Sequence, residues 1–205
     1  MKKGLRCLFA GWTLFYAGLV PATGEAQPRV IVKVSNSAGF DERSVAKAEE
    51  IVTGIFHALG IQVAWQNLAG AGADQPDFWI NLVPVKATVM RAPEDAAGLA
   101  ALPEAGQMGS LIWVFRPTLE KIVDDTQYLT PQRDRTMLLN ALLAYTITHE
   151  MGHLLLGSAE HSGSGIMTLG WDLRKIRLAC IRSLSFLPRQ SERIRDAVRA
   201  RDSAR

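Results

Sequence analysis

Thirteen residues, HEMGHLLLGSAEH from His149 to His161, hold three of the chain's four histidines. His149 and His153 stand four apart, so on a helix of 3.6 residues per turn they project from one face. Two imidazoles placed that way can hold one zinc ion. Glu150 comes beside such an ion rather than on it, where a carboxylate can take a proton from water and deliver it to a leaving amine. Gly157 can adopt the left-handed backbone that ends a helix and turns the chain back. His161 is then placed to approach the same ion as a third ligand, leaving a fourth position open to water. Glu160 and Asp172 are the carboxylates that can replace it.

Water at neutral pH is a poor nucleophile towards an amide. Zinc lowers its pKa towards about 7 and polarises the carbonyl under attack. The pattern therefore points to hydrolysis of a peptide bond by a zinc-activated water, with Glu150 as general base.

These residues resemble the metzincin class of zinc peptidases, whose motif H-E-x-x-H-x-x-G-x-x-H is followed by a methionine turn beneath the metal. His149, Glu150, His153, Gly157 and His161 carry the match, and GIMT (165–168) is similar to the methionine turn. The resemblance implies Met167 as the hydrophobic floor of the site, a metzincin-like α+β fold and a peptide or protein substrate. Gly157 stands one residue later than in the family pattern, and His161 two. Leu169 occupies the position where some metzincins keep an auxiliary tyrosine. The chain also resembles small secreted bacterial proteins with HExGHLLLG…HS…GIM segments.

The elements that must position these residues are legible as periodicities. RVIVKV (29–34) alternates and predicts a strand. Asp41 can cap a helix whose apolar positions recur from Val45 to Leu59, with Gly60 as its stop. IQVAW (61–65), FWINLV (78–83) and SLIWVF (110–115) predict three more strands, the last ended by Pro117. Residues 67–77 read as a loop, and 91–109 as a long Ala/Gly/Pro loop of the length that often forms a lid. Thr130 and Pro131 can start a long helix closed by Gly157, apolar almost all round and so buried. Helix follows around 172–184, and a last one starts at Pro188 with Ile194 and Val198 facing inward. The expected architecture is a single α+β domain over 27–205. It has a twisted mixed sheet, two main helices, a helical C-terminal part and the zinc under one sheet edge. By analogy, strand 110–115 is the candidate edge to pair with an extended substrate.

Residues 1–26 read as a secretory signal peptide. They run from a basic start through fourteen apolar residues (7–20) to small residues suited to cleavage after Ala26. The expected location is secreted or periplasmic, with no membrane span once that segment is removed. The whole chain carries net charge +3. Without Lys2, Lys3, Arg6 and Glu25 the balance is 20 basic to 19 acidic, which gives no reason to expect a nucleic-acid partner. The asymmetry that survives is in 172–205, with ten basic and four acidic side chains. It reads as a solvated face or as a dock for an anionic surface. Cys180 is the single cysteine beyond residue 26, so no internal disulfide is expected there, although it can pair between chains. His57 and the tryptophans read as structural. The competing class is a non-catalytic binding protein in which zinc braces the fold and a carboxylate such as Glu160 or Asp172 closes the fourth position. Oligomeric state is left open.

Overall fold

The computed structural model describes residues 27–66, 75–103, 108–129 and 134–205. The signal-peptide segment, most of the 67–77 loop, and Thr130 and Pro131 lie outside the described residues.

Five strands form one sheet in the order β2-β1-β3-β5-β4. These are β1 (Arg29–Asn36), β2 (Gln62–Gln66), β3 (Phe78–Val83), β4 (Gly98–Ala100) and β5 (Leu111–Phe115). The first four in that order run parallel to their neighbours, and β4 runs antiparallel to β5. The sheet is thus mixed, as expected for the α+β class.

Alternation sets which face is covered. Val30 and Val32 of β1, Phe78, Ile80 and Leu82 of β3, and Ile112 and Val114 of β5 are wholly buried. Against that face lie α1 (Glu42–His57) and α3 (Arg135–Leu156). Asp41 caps α1 by accepting from the Ser44 amide at 2.9 Å, and Gly60 turns the chain at φ +73° before β2. In α3, residues 141 to 148 are buried without a break. Each fully buried leucine there, such as Leu142 or Leu143, contributes roughly 2 kcal/mol of transfer free energy. The tertiary packing of α3, more than its propensity, therefore holds it in place.

The structure corrects several expectations. The long helix starts later, capped by Asp134, whose carboxylate accepts from the Met137 amide at 2.9 Å. Its first turn is less enclosed than the rest, leaving Met137 38% exposed. Pro117 does not merely stop a strand but sits in the first turn of a further helix, α2 (Arg116–Leu129). Leu119 and Val123 are its buried stripe, and Arg116–Glu120 and Lys121–Asp125 are i,i+4 pairs along it. The 91–109 segment is not all loop, because it contributes β4. In consequence strand 110–115 is not the edge strand: β5 is flanked by β3 and β4, and β4 is the edge.

The C-terminal part holds α4 (Leu173–Cys180), shorter than the expected 172–184, and α5 (Pro188–Ser203). Ile194 and Val198 are fully buried, as their spacing predicts. Among the described residues, no helix is long and apolar enough to cross a membrane.

Candidate metal centre

His149 and His153 occupy the last two turns of α3, and the turn that follows brings His161 back over them. Gly157 makes the return, with φ +60° and ψ +35°, the left-handed cap that a residue with a Cβ adopts only at a cost. The carbonyl of His153 accepts from the amides of both Gly157 and Ser158, which absorbs the longer spacing of this motif.

The ligand-capable atoms of His149, His153 and His161 lie within 4.8 Å of one another, a group able to hold a metal ion. Their ring centroids are 4.6, 5.2 and 4.9 Å apart. Neither carboxylate alternative joins them. Asp172 caps α4 and pairs with Lys175, while Glu160 is exposed.

The tautomers follow from the partners. His149 Nδ1 lies 2.8 Å from the carbonyl of Ile166, and His153 Nδ1 lies 2.7 Å from that of Ser158. A carbonyl only accepts, so each Nδ1 carries the proton and each neutral ring presents a bare Nε2. Those two Nε2 atoms face each other at 3.0 Å. Two lone pairs that close repel unless a cation or a proton lies between them. Burial opposes the proton, holding His149 down at about 4 and lowering His153 as well. The donor set therefore fits a metal ion, and the carbonyls supply the outer hydrogen bonds that orient metal-binding imidazoles.

Met167 is fully buried and packs against the turn of α3 that carries the two histidines. A Cβ on Gly152, in the helix turn between the two histidines, would stand 2.4 Å from the Met167 sulfur. Glycine there is what lets the thioether reach the helix. The preceding turn is tight as well. Gly165, at φ +78°, packs against the carbonyl of Ser185, and Ile166 reaches that same carbonyl through its amide.

Glu150 is 6% exposed. Burial pushes its carboxyl up to about 8, opposed by the nearby Ala100 amide of β4. The edge strand comes this close because of Gly98, where a Cβ would lie 2.7 Å from both Cγ and Oε1 of Glu150. Motif reasoning missed Gly98, Ala100 and Gly152. Gly98 and Ala100 fell in a segment read as a loop, and Ala100 acts through its backbone, which no residue type announces. Gly152 was visible inside HEMGH as the one position of that helix without a side chain.

Between β4 and the histidines runs a cleft of about 420 Å³. Leu99, Leu102, Leu169 and Trp171 supply apolar walls, and Thr146, Glu150 and the three histidines the polar floor. Leu169 is 72% exposed on its rim. Such a cleft, apolar with a few convergent polar groups, suits a bound organic ligand.

No family model and no curated protein sequence matches the chain. Among solved structures it is similar to archaemetzincin from Methanopyrus kandleri, at 16% identity and a TM-score of 0.46, covering 88% of this chain and 99% of that one. It is also similar to metalloproteinase-II from Bacteroides fragilis, at 14% identity and a TM-score of 0.47. That match covers 83% of this chain and 53% of the other. At that distance neither neighbour's activity transfers to this chain.

Proposed function

We propose that this protein is an exported zinc-dependent peptidase. His149, His153 and His161 hold the ion, Glu150 is the general base and acid, and Met167 is the floor. The observation that carries this reading is the facing pair of Nε2 atoms at 3.0 Å, each imidazole pinned by a carbonyl at its other nitrogen, beside a buried carboxylate in an open cleft. When bound there, zinc supplies Lewis acidity towards a water and a substrate carbonyl.

The chain's own residues do the rest. Glu150 takes a proton at its carboxylate and returns it to the leaving amine. The Ile166 and Ser158 carbonyls keep both imidazoles turned towards the centre. Leu99, Leu169 and Trp171 give the cleft walls that favour an apolar substrate side chain and reduce its contact with water. A peptide fits this cleft because β4, an edge strand among the described residues, runs along it. The reading as a closed, non-catalytic site finds no support in Glu160 or Asp172, since neither joins the histidine group and Asp172 caps α4. Export rests on the layout of residues 1–26, and a processed chain starting at Gln27 outside the cytoplasm is its expected sign.

The test is elemental analysis and peptide turnover on the purified protein and on Glu150→Gln. One zinc per chain in both, with turnover reduced about 10²–10⁴-fold in the variant, is the expected result. Undiminished turnover in Glu150→Gln would sink the mechanism.

A further inference from the structure

The cleft holds a polar group that the reading above does not use. Thr146 is 2% exposed, lines the cleft one helical turn before Glu150, and its hydroxyl has no hydrogen-bond partner. Among the described residues only Asn140 Oδ1 shares that condition. A buried threonine in a helix ordinarily bonds the carbonyl four residues back. This protein follows that habit elsewhere: Thr148 bonds Ala144 at 2.9 Å in the same helix, and Thr126 bonds Ile122 at 2.7 Å. Thr146 does not, so its rotamer leaves the hydroxyl uncommitted.

Its neighbour is Glu150. Residues at i and i+4 share a helix face, and helical side chains lean towards the N-terminus, so Glu150 lies back over Thr146. Both crowd the same point of the edge strand. A Cβ on Gly98 would stand 2.7 Å from Glu150 Cγ and 2.9 Å from Thr146 Cγ2.

The Ala100 amide is the backbone group that favours the charged form of the Glu150 carboxyl. The ladder shows which way that amide points. Ala101 donates to Leu111 and Phe115 donates to Ala97, so the odd-numbered residues of β4 face β5 and Ala100 faces the open edge. An extended peptide laid along that edge competes for the same N–H. Glu150 then loses the support of that amide at the moment its carboxylate is needed.

Resting on the peptidase reading, we propose that Thr146 is a positioning residue. Its hydroxyl donates to the Glu150 carboxylate once a substrate strand claims the Ala100 amide, and so holds the base in place for the reaction.

The experiment compares zinc-loaded wild type, Thr146→Val and Thr146→Ser on a quenched-fluorescent peptide library. Zinc content and the melting temperature of the metal-free forms are measured beside it. Valine keeps the shape and removes the hydroxyl. Its kcat should fall at least tenfold with KM within twofold and zinc unchanged. Its metal-free melting temperature should hold or rise, because the resting hydroxyl has no partner to lose. Serine should restore most of kcat. Valine with wild-type kcat, serine as impaired as valine, or a metal-free valine form melting several degrees lower would each overturn the assignment. A zinc-loaded wild type that cleaves no peptide would overturn the peptidase reading itself and this role with it.

Discussion

Glu150 and His149 are both titratable groups taken out of water, and burial moves them in opposite directions. His149 is held at about 4 against an ordinary 6.5, and Glu150 at about 8 against an ordinary 4.5. In the metal-free protein these shifts become a pH dependence of stability. The contribution of His149 is present above 6.5 and is lost as pH falls towards 4, because the unfolded chain takes up a proton that the folded one refuses. Glu150 works the other way. Its contribution is full below 4.5 and is lost as pH rises through 8, because the folded state keeps a proton that the unfolded state releases. Between pH 6.5 and 8 only the second effect operates. Stability of the metal-free protein should therefore fall with rising pH there, by at most about 1.4 kcal/mol per unit. Calorimetry of metal-free wild type and Glu150→Gln checks this: the slope should be present in the first and flat in the second. An equal slope in both would mean that the Glu150 carboxyl is already ionised at pH 6.5.

At the scale of elements, the site is a contact between α3 and the edge strand, and Gly98 sets its closeness. Gly98→Ala would push a methyl group into the Glu150 side chain, with contacts of 2.7 Å that real Cβ atoms do not make. A three-residue edge strand can yield, so the fold should survive with a melting temperature within a few degrees. Turnover should drop more than tenfold because Glu150 or β4 has moved, and full activity in a stable Gly98→Ala protein would refute the close-approach argument. The same pair of elements shows what was legible beforehand. The histidines, Glu150 and the Gly157 turn could be read because helix geometry converts spacing into direction, and β3 (Phe78–Val83) could be read from its composition and bounding Pro84. β4 could not. Three residues, GLA, carry no periodicity, and the strand exists because β5 offers it a ladder rather than because its residues prefer extended backbone. α2 was hidden for a different reason. A proline after a strand signals an ending and a helix N-terminus equally well, and only the i,i+4 pairs beyond it distinguish the two. The start of α3 was misplaced because Thr130 and Asp134 are both good caps. Its cap is at Asp134.

At the scale of the whole molecule, most basic side chains of the C-terminal part stay at the surface, and several of them are tied to the chain rather than free. Lys175, Arg182, Arg193, Arg199, Arg201 and Arg205 all donate to acceptors within the chain. Arg201 is the deepest, 6% exposed on α5, with its guanidinium 4.8 Å above the Phe78 ring. It donates to the Gly109 carbonyl at 2.8 Å and to the Asp77 carbonyl at 3.5 Å. Close by, Asp202 accepts from the Arg29 amide, and Arg205 bonds the Arg29 carbonyl and pairs with Asp77. Through these contacts the last helix fastens the entry points of β1, β3 and β5, which come from three distant parts of the sequence. Burial of the guanidinium works against its charge, lowering its pKa, and the Asp77 carboxylate opposes that. Arg201→Ala leaves the Gly109 carbonyl without its donor and an apolar gap over Phe78. The cost should be about 2–4 kcal/mol, the sum of an orphaned buried acceptor and lost packing. Lysine should not rescue it, since a single ammonium cannot both cover an aromatic face and span two carbonyls. Urea denaturation of Arg201→Ala and Arg201→Lys measures this. A change below about 0.5 kcal/mol in the alanine variant, the ordinary scale for a surface substitution, would mean that α5 merely rests on the sheet and the strand entries are held from elsewhere.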